Sequence, residues 1–490
     1  MSKKRRHKKA GQTPATPLEH HYREGKLLHP PFQRVKGIRV ASWTHTRLPD
    51  QLWTTLLVTQ LERDLGLEIL RTVAKAFQGE FKPGQDLDLT HTGLAAMPEE
   101  LAERVIHIVC STPGAAHALQ PILLFDDLPG RARWAAHLQS SIDIDAWTRL
   151  AGTIARVLFH QSQEATDARW ARVLFRVATG QMRLQTQEQF LELAEYPHRG
   201  EQMAVRPTIR AAEIAESPLH DYRDRDRWAD SFWRRCLDRT PCEHFFTHAV
   251  RLPATACTRA SVSAALDALA DAARATTTTT ATDARHTAAF GLAAYSLGLL
   301  CELLGMGVSQ GVLGRLGLRA ILEGYVTLAY LARKDDPALW ESYRAYGQGQ
   351  AKLAMLKVDE LADSPSFVTA ELLEHVASED KAPEFLSINL GHWANADLRR
   401  LSDAAGVKEA YDRLYPWTSA FMHSNWASIR ASSMRTCGNP LHRLHAVVQP
   451  ASNTLDDVLG DACDLADGLI ALVERLYTVR LKRVSVRVGV

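Results

Sequence analysis

Four residues in the second half of the chain have the types and spacing for phosphate chemistry: Arg319, Glu323, Ser419 and His423. Arg315, Arg319 and Glu323 follow each other in steps of four, which sets them on one face of a helix, and Tyr330 returns to nearly that face. Further along, Tyr415, Ser419 and His423 repeat the same step, followed by Trp426 and Arg430. If the two stripes line one bundle core, Arg319 binds a phosphate bidentately, His423 transfers protons, and Glu323 with Ser419 orients them. Such a group suits metal-free RNA cleavage, with the imidazole as general acid or base and the guanidinium countering charge on the phosphorane. It suits recognition of a phosphorylated ligand equally well. The competing reading is a non-enzymatic interaction or scaffold module. There a buried arginine is paired one turn away with Glu323, and the polar network only fixes the register of a bundle.

Other clusters carry weaker chemistry. Cys236, Cys242, His244 and His248 are four zinc-type ligands in a short span, but ordinary buried cysteines beside helix-surface histidines explain them more simply. His160, Glu164 and Asp167 share a helical face, where a helix cap at Thr166 or Asp167 accounts for part of the pattern. His442 and His445 form a further isolated pair. No metal or cofactor is assigned from the sequence. Lys3, Lys4, Arg5, Arg6, Lys8 and Lys9 crowd the N-terminus. Such a run attracts RNA or other nucleic acid through counterion release, or simply solubilises the chain.

The motifs for nucleotide hydrolysis, dinucleotide redox chemistry, α/β-type serine hydrolysis and zincin chemistry are absent from the sequence. Net charge is +2, yet without the basic tail acids outnumber bases by four. Seven scattered cysteines do not make a disulfide framework, and no apolar stretch follows the basic start. The most apolar segment, Ala288 to Gly314, is interrupted by Glu302, leaving both halves short of the about 18 residues a spanning helix needs. The expectation is a cytoplasmic protein with no membrane partner, compatible with a homo-oligomer.

The elements that must position these residues read as helices, so the fold is expected to be all-α. Residues 1–28 are expected to be a disordered basic tail, 29–250 an N-terminal multi-helix domain, 251–285 a connector with five threonines at Thr276 to Thr280, 286–482 a C-terminal helical bundle, and 483–490 a tail or short strand. The alternating Val residues of 483–490 need a partner strand. The bundle is organised on a helix from Val312 to Arg333 that is apolar nearly all round. One continuous helix is expected from Pro416 to Met434, a short one from Glu243 to Val250, and a solvated charged face over Asp221 to Arg227.

From about Phe290 to Met434 the chain resembles a bacterial family catalogued as a domain of unknown function. The marks are Arg319-Ala-Ile-Leu-Glu323, a Tyr-rich helix with Tyr343 and Tyr346, and Ser419-Ala-Phe-Met-His423. In layout it is distantly similar to helical ribonuclease toxins of the HEPN type, common in phage defence. Those carry an arginine shortly before the histidine on one helix, whereas here nine residues separate Arg413 from His423. The resemblance implies a bacterial helical protein that acts on or senses RNA or a phosphorylated ligand, in the setting of phage defence.

Overall fold

The computed structural model describes residues 22–29, 39–80, 87–138, 145–183, 186–196, 205–216, 221–243, 245–246, 250–251, 255–361, 365–379 and 385–487. The basic run Lys3 to Lys9, His244 and His248 lie outside them. The chain is essentially all-α, with only small strand pairs among the described residues. It divides into two units. Unit 1 comprises Met1–Phe245 and Cys437–His445, and unit 2 comprises Phe246–Thr436 and Ala446–Val490.

Unit 1 is built round α1, Leu52–Gln60, whose residues are buried through Thr59. An all-buried helix normally excludes hydroxyls. Here Thr54, Thr55 and Thr59 donate back to carbonyls of Gln51, Leu52 and Thr55, so no polar group is left bare. α2 (Arg63–Ala76), α3 (Ala146–Val157) and α4 (Gln163–Ala178) pack against it. Five tryptophans, Trp43, Trp53, Trp170, Trp228 and Trp233, bury their rings and donate each indole N–H to a backbone carbonyl. A buried ring thus costs no unmade hydrogen bond.

Several sequence expectations change in unit 1. α4 is capped by Ser162, which accepts from the Ala165 N–H, and not by Thr166 or Asp167. Asp167 instead accepts from Arg63 at 2.7 and 3.0 Å, from Gln163 and from the Tyr196 hydroxyl. Glu164 faces Arg156 at 3.2 Å. His160, Glu164 and Asp167 are therefore three separate surroundings, not one chelating face. The charged segment from Asp221 opens α6 (Arg223–Arg239), which follows α5 (Val205–Ile214), and Arg225 there is buried. Glu243, Phe245 and Phe246 are not helical, because the Glu243 carbonyl accepts from the Gly438 N–H at 3.0 Å.

Unit 2 is organised on α9, Val312–Lys334, in agreement with the central helix expected from the sequence. Around it pack α8 (Ala284–Met306), α11 (Leu398–Ala405), α12 (Lys408–Met422) and α14 (Leu459–Tyr477). Gly324 lets α8 approach: a Cβ there would sit 2.9 Å from the Ser296 hydroxyl oxygen. By length and composition alone α8 is long and apolar enough to cross a membrane; within unit 2 it packs on α7 (Arg259–Thr276), α9 and α14. α7 lies inside the stretch expected to be a connector. It has a sparse stripe of Val262, Ala265 and Leu269 and a capping box at Thr258 and Ser261. The threonine run follows it as a loop. α10 (Pro337–Asp359) sets Tyr343 against Trp393, 5.1 Å between ring centres, and Tyr330 of α9 meets the same indole.

Val486–Arg487 does find a partner, pairing antiparallel with Thr255–Ala256. Beside that pairing Cys257 and Cys463 form a disulfide, which the scattered cysteines of the sequence did not suggest. Five cysteines remain free.

Candidate functional site

The residues singled out on α9 and α12 are held as follows. Arg319 is 7% exposed. Its Nε donates to Glu323 Oε1 at 2.6 Å, and its guanidinium lies 3.6 Å from the centre of the Tyr415 ring. Its Nη1 is buried without a hydrogen-bond partner. Glu323 sits at the edge of the packing with its side chain 48% exposed. Arg315 turns elsewhere, donating to the carbonyls of Ser309 and Gly311.

α12 continues through Pro416, with Thr418 donating to the Leu414 carbonyl in the turn that the proline weakens. Tyr411 and Tyr415, one turn apart, stack at 4.4 Å. The helix then stops. His423 is its C-terminal cap, Ser424 adopts a left-handed backbone at φ 45°, and Asn425 caps a new helix, α13 (Trp426–Ser433), by accepting from the Ser428 N–H. The expected single helix is therefore two. At the break the Asn425 side chain takes up one of the N–H groups that the interrupted ladder leaves open. Trp426 and Arg430 consequently leave the stripe of Tyr415, Ser419 and His423.

That stripe opens on a surface hollow of about 460 Å³, lined by Arg399, Tyr411, Asp412, Tyr415, Ser419, His423 and Asn425 among others. Ser419 and His423 are brought together here, whereas Arg319 and Glu323 lie behind Tyr415 and are not among the lining residues. No hydrogen bond joins Glu323 to His423 among the described residues, and His423 is exposed. Arg399 makes no salt bridge among them either, while Asp412 is paired with Lys408. Burial and the neighbouring Tyr415 hold the Tyr411 phenol above its usual pKa, so it stays protonated. Arg399, Tyr411 and Asn425 were not marked by sequence spacing; their signal lies only in the turn Ser424-Asn425 and in tertiary packing.

The Arg-x-x-x-Glu turn and the Ser-x-x-x-His turn thus lie on adjoining helices. Residues 300–439 match the family of unknown function DUF5677. The DUF5677 segment contains α9 to α13 and thus every lining residue of the hollow. No curated protein and no solved structure matches the chain.

Two further polar sites stand outside that hollow. Within unit 2, the DUF5677 residues Arg315, Arg413 and Arg430 line a larger hollow of about 860 Å³ with Asp456, Asp457 and Asp461, and Arg413 is paired with Asp461 at 3.1 Å. Unit 1 holds a charged cleft of about 870 Å³ lined by Arg47, Asp50, Asp88, Arg172 and Arg176 among others. Burial raises the Asp50 carboxyl above its usual range, despite two hydrogen bonds from Thr92. Burial pushes Asp88 upward too, but the Arg172 guanidinium outweighs it and holds that carboxyl down at about 2. Below this cleft Glu213, fully buried, faces Arg47, Arg169 and Arg172 at 3.3, 3.6 and 3.2 Å. Asp50, Asp88 and Glu213 each already have a positive or hydroxyl partner, the mark of an internal ion network.

Finally, Cys242 meets Cys437, His442 and His445, with one ligand-type atom of each lying within 4.8 Å of the others. Cys236, which the sequence grouped with Cys242, is instead buried in the core of unit 1, where burial raises its thiol pKa strongly. Sequence reasoning missed Cys437, although it stands five residues before His442 and eight before His445.

Proposed function

We propose that unit 2 binds a phosphate-bearing ligand, RNA in the first instance, in the hollow at the end of α12, with His423 as its proton-transfer group. The observation that carries this reading is that His423, Ser419 and the unbridged Arg399 open on one hollow beside two stacked tyrosines. A guanidinium suits a phosphate, stacked phenols suit a base, and the exposed imidazole of His423 lies where a bound ligand could reach it. In cleavage His423 would accept the ribose 2′-hydroxyl proton, and the protonated Tyr411 phenol supplies a donor for the leaving oxygen. Arg319 acts as a positioning residue here, fixing the Tyr415 ring.

The test is binding of a fluorescent single-stranded RNA to the full chain, together with RNA integrity in cells making the protein. Arg399→Ala is expected to weaken binding at least tenfold with the fold intact. His423→Ala is expected to keep binding and abolish fragmentation. If wild type binds no RNA and leaves cellular RNA whole, the reading fails and the scaffold reading takes its place. Arg319, committed to Glu323 and Tyr415, already favours that second reading for α9.

A further inference from the structure

The thiol and imidazole cluster of unit 1 is formed by two pieces of chain far apart in sequence. One is the end of α6 and the residues after it, Thr240 to Glu243. The other is the nine-residue return segment Cys437–His445. Leu441 of that segment is 1% exposed in the unit 1 core, and the short 3-10 helix Pro440–His442 packs on α3 and α6.

Cys242 Sγ lies 3.5 Å from His442 Nδ1 and 3.3 Å from His445 Nε2, and Cys437 Sγ lies 3.5 Å from His442 Nδ1. For a tetrahedral zinc ion with ordinary Zn–S and Zn–N bonds, the sulfur-to-nitrogen edge is about 3.6 Å. The three contacts match that edge.

The hydrogen bonds behind the cluster settle which nitrogen of His442 is free. The Thr240 hydroxyl donates to the Cys236 carbonyl at 2.7 Å, so it can only accept from His442 Nε2 at 3.0 Å. The Thr240 carbonyl, also an acceptor, lies 3.2 Å from the same nitrogen. Nε2 therefore carries the proton and Nδ1 presents its lone pair to both sulfurs. This is the outer arrangement that orients a ligating histidine. One lone pair facing two sulfurs calls for a positive centre between them. The Asn439 N–H also points at Cys437 Sγ, at 3.4 Å, as expected for a thiolate.

The backbone is bent to the same end. Arg443 and Leu444 both hold left-handed conformations at φ 53° and 56°, unusual for such residues, and together they swing His445 back beside His442. The Cys437 N–H closes the loop on the His445 carbonyl at 3.0 Å.

We infer that Cys242, Cys437, His442 and His445 form a closed structural zinc site that clamps the return segment 437–445 into unit 1. Zn²⁺ replaces the two thiol protons, which leave to solvent, and the resulting Cys₂His₂ complex is neutral overall. Four protein ligands leave no open position, so the site holds structure and does not catalyse.

The experiment measures metal content of the full-length protein purified with zinc in the medium and without a chelating column, followed by Co²⁺ exchange. One zinc per chain is expected, with a cobalt spectrum carrying thiolate charge-transfer bands and tetrahedral d–d bands. Cys242→Ser, at an exposed position, is expected to lose at least tenfold in metal affinity and to lose those bands while keeping its helical circular dichroism. Cys437→Ser and His445→Gln should behave alike, and Cys110→Ser should bind as wild type. A wild-type chain that takes up neither zinc nor cobalt overturns the site. So does a cobalt spectrum unchanged by Cys242→Ser.

Discussion

The guanidinium of Arg319 lies flat against Tyr415, 3.6 Å from the ring centre, while its Nε is held by Glu323 one turn along the same helix. One side chain thus joins the central helix of unit 2 to the helix that carries Ser419 and His423. Replacing Arg319 by Met keeps bulk but removes both interactions. The expected loss is about 1–3 kcal/mol of unit 2 stability. A double-mutant cycle with Tyr415→Leu, read by urea unfolding, should show coupling of about 1 kcal/mol. Additive effects would mean that the stacked geometry contributes nothing.

Glu213 is the counter-charge for three arginines and also accepts from Gln51 at 2.7 Å. Glu213→Gln leaves the guanidinium groups of Arg47, Arg169 and Arg172 facing each other with one carboxylate fewer. Breaking a buried pair in this way is expected to cost about 3–5 kcal/mol. Tryptophan fluorescence during denaturation reports it directly, because buried indoles are concentrated in unit 1. A shift below 1 kcal/mol, on the order of an exposed pair, would show that water reaches the network.

His91 supplies a pH dependence. It is fully buried between Trp134 and Trp228, neither ring nitrogen has a partner, and burial lowers its pKa from 6.5 to about 3. Above pH 6.5 neither the folded nor the unfolded chain protonates this ring, so stability is flat. As pH falls from 6.5 toward 3 the unfolded chain takes up a proton that the folded chain refuses. Stability then drops by about 1.4 kcal/mol per pH unit from this group. His91→Phe should remove that slope. The measurement is the difference between wild-type and variant unfolding free energies at pH 7 and pH 5. Equal differences at both pH values would show that the ring is hydrated.

The sequence reading succeeds where the signal is local and fails where it is not. The central helix Val312–Lys334 announces itself by apolar residues on every face, and the Arg319–Glu323 pair by its spacing. The break at Ser424 was invisible to periodicity, because Ser419 and His423 keep the helical step right up to the cap. α7 was lost among alanines and threonines that weaken an amphipathic pattern. The partners of Cys242 were beyond any local rule. His244 and His248 are its neighbours in sequence, yet the residues that meet it start at Cys437, brought there by the folding of everything between.

That return of the chain has a consequence for synthesis on the ribosome. Unit 1 is discontinuous, its last piece being Cys437–His445. Domains generally fold as they emerge, the N-terminal one first. Here unit 1 cannot be completed until the Phe246–Thr436 part of unit 2 has been translated. Until then the unit 1 core lacks Leu441, which is supplied only after about 190 further residues have been made.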